Sequence, residues 1–315
     1  MEILDLRQLR SGDLQQLLEE EEAVWEETLQ WDYSSSADLI KRFVDARALA
    51  GYAAVDGGRA VGYCFYVYEN LKGLLGDAFV SNSHSNGDTE ARLLTHVLET
   101  LQATPGIRRI EAQLMNFHDQ PACDLFRSQG FQSYRRKFLS LSLKDKLPPD
   151  SETQPEAELE LWQPRWFAEA ALLITRAYRG HVDSAVSDQY RTRGGALRFL
   201  ENIIRYPGCG IFNPDCSLLA IHSITRQLCG MLLTSTVRER VAHITQLCVD
   251  PAVQGAGHGS WLLREALLYL QQHGVEAVTL TVTASNTPAL RLYERFAFAT
   301  RKEFNAYAWD AALLD

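Results

Sequence analysis

The sequence predicts an α/β (α+β) protein built as two tandem units, each a mixed sheet covered by helices. Three observations lead there. The chain has 315 residues, long for one compact domain and comfortable for two. Its residues are 46% hydrophobic and 23% charged, enough apolar material for a packed core in each unit. The order of elements also repeats at a nearly constant distance. Gly62 and Gly230, Val80 and Val249, and Phe126 and Tyr293 lie 168, 169 and 167 residues apart. A spacing held over several elements is the mark of a duplicated fold.

In the first half, alternating runs predict strands in "AVGYCFYVYE" (60–69) and "LLGDAFV" (74–80). The 3.6-residue pattern of "TEARLLTHVLETLQ" predicts a helix, followed by a strand in "IRRIEAQLM" and a helix in "PACDLFRSQGF". The run "YRRKFLSLSL" is read as the strand that closes this half. A polar, proline-bearing break, "KDKLPPDSETQPEAELE", then separates the halves. The expected boundaries are 1–145, a linker at 146–158, and 159–315. The second half opens with "LELW" and repeats the order: "LCGMLLTSTV", "VAHITQLCV", "GSWLLREALLYLQQ", "VEAVTLTV" and "PALRLYERFAF".

Charge and composition exclude several functions. A formal net charge of −9 suits neither nucleic acid nor an anionic membrane, which need clustered Lys and Arg. No apolar run approaches the roughly 20 residues of a membrane helix. The N-terminus is acidic throughout and lacks a signal peptide's basic start and apolar block. The six cysteines are scattered with no CxxC pair, so neither a zinc site nor a disulfide framework is expected. These features fit a cytoplasmic protein with no metal.

The chemistry concentrates in "VDPAVQGAGHGSWLLREALLYL" (249–270). A strand runs into a loop with Gly255, Gly257 and Gly259, and a helix starts near Ser260. Glycines allow positive φ and close approach of a ligand to the backbone. The first helical turn adds unpaired N–H groups and the positive end of the dipole, so a phosphate ester is the expected guest. A Walker loop is excluded, because His258-Gly259-Ser260 supplies no lysine. A dinucleotide loop would follow the first strand of a parallel sheet, and this one comes late in its unit.

The same residues carry a family resemblance. "QGAGHG" resembles the Q/R-x-x-G-x-G/A loop of the GCN5-related N-acetyltransferases through Gln254, Gly257 and Gly259. "SNTPALRLYERFAF" resembles that family's N-x-x-A-x-x-L-Y-x-x-x-G-F segment through Asn286, Ala289, Leu292, Tyr293 and Phe298, with Ala297 where glycine is usual. The resemblance is closest from about Gly230 to Phe298. It implies two tandem units with mostly antiparallel sheets, and acetyl-CoA as co-substrate between two parted strands, "HITQLCV" and "VTLTVTA". Leu247, Cys248 and Val249 would line the pantetheine arm, with an N–H near Leu247 polarising the thioester carbonyl. Gln254, Gly255, Ala256, Gly257, His258, Gly259 and Ser260 would hold the pyrophosphate, and Asn286 would bond the arm.

Tyr293 occupies the position of the family's general acid, which protonates the departing thiolate. Many relatives carry a basic Glu near Thr281, absent here. His243, on the neighbouring strand, is the candidate base, weighed equally against a hydrogen-bonded strand residue; the pleat puts it on one face with Thr245. The acceptor implied is a primary amine of a small molecule or peptide. The polar cluster "RGHVDSAVSDQYRTRGG", with His181, Asp183, Asp188, Tyr190 and Arg191, is the segment expected to read it. In the first half only Gly87 remains of the loop, Asp88 and Glu90 bring negative charge, and Phe126 replaces the tyrosine. That half is expected to keep the fold without the chemistry. A transferase of longer acyl groups and a non-catalytic acyl-CoA sensor are the alternatives.

Overall fold

The computed structural model describes residues 1–117, 119–144, 155–206 and 208–311. Most of the expected linker, 146–154, lies outside the described residues. In chain order the first half forms β1 (Glu2–Asp5), α1 (Ser11–Leu29), α2 (Ser34–Asp45), β2 (Ala50–Asp56), β3 (Arg59–Glu69) and β4 (Lys72–Val80). It continues with α3 (Asp88–Ala103), β5 (Arg109–Gln113), α4 (Asp119–Ser128) and β6 (Gln132–Ser142). The second half forms β7 (Ala157–Leu161), α5 (Phe167–Ala177), α6 (Asp183–Val186), α7 (Arg193–Arg205), β8 (Ile211–Phe212) and β9 (Leu218–His222). It ends with β10 (Leu228–Arg238), β11 (Val241–Val249), α8 (His258–Gln272), β12 (Ala277–Thr283), α9 (Thr287–Arg295) and β13 (Ala299–Asp310).

Two compact units result, but their bounds correct the expected ones. The first comprises Met1–Arg136 with Glu303–Asp315, the second Lys137–Lys302. The expected closing strand of the first half, β6, passes into the second unit, while β13 completes the first. Within the first unit the strand order is β1-β2-β3-β4-β5-β13, and within the second it is β6-β12-β11-β10-β9-β7 with β8 on β10. The sheets are mostly antiparallel, with parallel pairings of β4 with β5 and of β11 with β12. β13 joins β5 through Ala306↔Gln113 to Asp310↔Arg109.

Apolar stripes at helical spacing seat the helices. In α3 they are Leu93, Leu94, Val97, Leu98 and Leu101, and in α8 Leu262, Leu263, Ala266, Leu267 and Leu270, all buried. The repeated strand glycines make this packing possible. A Cβ built at Gly230 would stand 2.7 Å from Leu262 Cδ1, and one at Gly62 3.0 Å from Leu93 Cδ1. In the second unit, one face of the sheet packs on α8 and α9, burying Tyr293, Phe296 and Phe298. The opposite face packs on α5 and α7 through Leu173, Ile174, Leu200 and Cys248.

Two backbone features prepare the site. β10 and β11 register as Leu233↔Gln246 and then Thr234↔Ile244, so Thr245 is an extra residue, a bulge. The parallel pairing of β11 with β12 runs from Val241↔Ala277 to Ile244↔Leu280 and stops there. Beyond that point no strand among the described residues pairs with the β12-side edge of β11, and the two strands part, as the resemblance implied. The first unit repeats both features, with Gly76 as the extra residue and pairing that ends at Leu75↔Ala112.

Candidate active site

A cavity of about 1180 Å³ opens where β11 and β12 part. Its wall includes every residue expected to hold the co-substrate: Leu247, Cys248, Val249, the loop from Gln254 to Ser260, and Asn286. Tyr293 lines the same cavity, as do Tyr178 and His181.

The loop owes its shape to its glycines. Gly255 and Gly257 have φ of 81° and 85°, in the left-handed region, and Gly257 is the N-cap of α8. Nothing lies within 4 Å of a Cβ built at Gly255. The first backbone bond into α8 runs from Trp261 N–H to the Gly257 carbonyl, so the amides of His258, Gly259 and Ser260 precede any intrahelical partner. No side chain caps this end. The amides therefore face the cavity as an anion cradle. Gln254 braces the turn, its Nε2 donating to the Val249 carbonyl at 3.1 Å. Asn286 caps α9, its Oδ1 accepting from Ala289 N–H at 3.3 Å. Both have structural duties that sequence alone did not reveal.

The equivalent turn in the first unit is closed by its own side chains. Asn86 Oδ1 accepts from the amides of Asp88 and Thr89 at 3.0 and 3.2 Å, and Glu90 Oε2 from Gly87 N–H at 2.9 Å. A carboxylate and an amide oxygen thus stand where phosphate oxygens would otherwise accept. Phe126 is fully buried and stacks on Tyr307 with centroids 3.9 Å apart.

Tyr293 is 7% exposed, edge-on to Phe298 at 5.6 Å. Burial, and after it the charge of Asp183, push its phenol above the ordinary range. It therefore stays protonated at neutral pH, as a proton donor must. Cys248 is buried on the α5 side, its thiol pushed up to about 12 mainly by burial, which leaves it a packed thiol rather than a nucleophile.

The structure corrects the expectation for His243. It is not among the residues lining the cavity. Its neighbours Ala242 and Ile244 join the core under α8, so the imidazole points to the other face. There Nδ1 meets Thr279 Oγ1 at 2.9 Å, and the ring lies against Phe138. Burial pulls its pKa down to about 3. Thr245, expected to share its face, is the bulge residue, its hydroxyl donating to the Leu233 carbonyl at 3.2 Å. His243 is thus a satisfied core histidine.

From the polar cluster, His181 reaches the cavity, and Tyr190 stacks on Tyr178 at 4.4 Å. Sequence reasoning did not single out Tyr178, whose hydroxyl accepts from Gln246 Nε2 at 2.8 Å. No group of His, Cys, Asp and Glu suited to a metal occurs among the described residues. No helix among them is long and apolar enough to cross a membrane.

Uncapped amides at the start of α8, the parting of β11 from β12 and the buried phenol of Tyr293 thus meet in one cavity. Residues 187–298 match the family model described as the Acetyltransferase (GNAT) family. The matched residues all lie in the second unit, and GNAT acetyltransferases use acetyl-CoA as co-substrate. The chain is 28% identical over 241 residues to a mycothiol acetyltransferase of Arthrobacter sp., covering 75% of this chain and 67% of that one. It is 35% identical over 97 residues to a mycothiol acetyltransferase of Actinosynnema mirum, spanning 31% of this chain and 32% of that relative's length. Among solved structures, a GCN5-related N-acetyltransferase from Sphaerobacter thermophilus superposes with a TM-score of 0.65 at 18% identity, covering 98% of this chain and 96% of that one. A tandem GNAT protein from the clavulanic acid biosynthesis pathway superposes at 0.59 and 15% identity, covering 98% of each. Both are likenesses of fold, and they extend over both units.

Proposed function

We propose that the chain is an acetyl-CoA-dependent N-acetyltransferase whose second unit carries the chemistry and whose acceptor is a primary amine of a small molecule or peptide. The observation that carries the reading is the row of uncapped amides at Gly257–Ser260, opening on the same cavity as the Tyr293 phenol. The amides hold the diphosphate, and the abandoned edge of β11 near Leu247 and Val249 receives the pantetheine arm. The thioester supplies the activated acyl carbon. An amide near Leu247 polarises its carbonyl, and Tyr293 gives its proton to the departing thiolate. The first unit takes no part in cofactor binding, because Asn86 and Glu90 already occupy its amides.

The test has two parts. Calorimetry with acetyl-CoA reads binding, and a thiol assay with a panel of amines reads turnover. Binding with amine-dependent CoA release supports the transferase. Tight binding without release under any amine supports the sensor reading instead. Faster release from a longer acyl-CoA than from acetyl-CoA moves the donor class.

A further inference from the structure

We propose that His181, held in place by Asp183 and Thr283, is the group that takes the proton from the acceptor amine. The proposal rests on the transferase reading above and supplies the base that His243 cannot be. His181 lies in the turn between α5 and α6 and lines the same cavity as Tyr178, Leu247, Cys248 and Tyr293. Its ring meets Tyr178 edge-on, centroids 5.2 Å apart at 89°. The side chain keeps 29% of its exposure, so solvent and substrate both reach it.

Asp183, first residue of α6, is fixed by the Thr283 hydroxyl, which donates to its carboxylate from the end of β12. That bond ties the α5–α7 connection to the very strand that parts from β11. Asp183 presents two groups to one nitrogen of His181. Its backbone N–H donates to Nδ1 at 3.1 Å, and its carboxylate Oδ2 stands 3.5 Å from the same atom. The neutral ring accepts from the amide; a ring protonated at Nδ1 donates to the carboxylate instead. The site therefore has a defined partner for either state of the imidazole.

The other titratable groups around this point are Tyr178, Tyr190, Cys248 and Tyr293. Burial keeps the Tyr178 and Tyr293 phenols and the Cys248 thiol protonated. Arg176, on α5, is paired with Asp250 at 2.7 Å. Asp183 is thus the carboxylate that faces the imidazole. The proton balance closes. The amine nitrogen bonds to the acyl carbon as the C–S bond breaks, and the thiolate leaves with that electron pair and takes the Tyr293 proton. The ammonium gives up two protons in all: one passes through His181 to solvent, and the other restores the Tyr293 phenol.

The experiment measures CoA release from acetyl-CoA with ethanolamine, glucosamine and tyramine, from about pH 5 to about pH 9, the range in which imidazoles titrate. His181→Gln is expected to lower kcat by about 10²-fold or more, leave acetyl-CoA affinity unchanged, and remove an acidic limb of the profile. Asp183→Asn is expected to lower kcat by about 10-fold or more and leave acetyl-CoA affinity unchanged, because the ring loses the carboxylate that orients it. A merely structural role would weaken acetyl-CoA binding or lower the melting temperature along with kcat. His181→Gln with wild-type kcat and an intact limb overturns the proposal, as does wild-type kcat in Asp183→Asn. If His181→Gln does not fold, the split between kcat and acetyl-CoA affinity in Asp183→Asn decides alone. A wild-type protein that binds acetyl-CoA but releases no CoA with any amine sinks the transferase reading, and this proposal with it.

Discussion

Tyr293 and Gly257 test the two ends of the cavity. Tyr293→Phe removes one hydroxyl and keeps the ring against Phe298. It should lower kcat by about 10²-fold or more while leaving acetyl-CoA affinity nearly intact, a contrast read by steady-state kinetics beside calorimetry. An equal loss in both would make it a packing residue. Gly257→Asp puts a β-carbon on a residue with φ of 85° and a carboxylate beside the amides that would receive phosphate. Acetyl-CoA binding should disappear with the second unit still folded; unchanged affinity would move the site elsewhere. Both residues were legible in the sequence because the chemistry restricts what can stand there. A bare backbone needs glycine, and a proton donor of this kind needs a phenol. The base proposed above was not legible in the same way. His243 and His181 both have the right side chain, and only packing decides which one reaches the cavity. Thr279 and Phe138 absorb the first, and a short helix presents the second.

At the scale of elements, the repeat predicted strands and helices in the right order, and the strand-entry glycines marked where a helix lies close on a sheet. Gly230→Val should crowd Leu262 and cost about 1–3 kcal/mol of stability, seen as a lower melting temperature of the second unit. A variant as stable as wild type would show that α8 can retreat. The bulge at Thr245 was hidden, because one inserted residue leaves no mark in an alternating pattern. It reverses which residues face α8: Ala242 and Ile244 before it, Leu247 and Val249 after it. Pleat reasoning from His243 forward therefore fails within two residues, at the point where the strands begin to part.

For the whole molecule, the exchange of β6 and β13 between units was not legible either. Both are alternating strands that end a repeat, and either suits either sheet. Its consequence is testable. Tyr307, near the end of the chain, is 2% exposed and stacks on Phe126. Tyr307→Ala should cost about 3–5 kcal/mol, with hydrogen exchange rising in α4 and β5 of the first unit rather than in α9 and β12. The first unit also holds a buried acid pair. Glu21 accepts from Tyr63 OH at 2.6 Å, and Asp77 from Tyr33 OH at 2.5 Å. Burial pushes the Asp77 carboxyl up to about 6, and raises Glu21 as well, with the charge of Asp77 as a further cause. A carboxyl raised on folding stabilises most below its unfolded pKa, near 4, and that contribution is lost as pH rises through the folded value. Thermal stability of the first unit should therefore fall from about pH 4 to above pH 6, and Asp77→Asn should flatten the slope. A slope unchanged in the variant would assign the effect to other groups.

The route of β13 also bears on how the protein is made. A ribosome delivers residues in order, and the N-terminal half leaves the exit tunnel well before Glu303 has been translated. Until those residues arrive, β5 lacks its β13 neighbour and Phe126 lacks the ring it stacks on. An unpaired edge exposed for that interval invites association with other nascent chains. The half that emerges first is thus finished only after the second unit has been translated, and its maturation waits on a segment encoded far downstream.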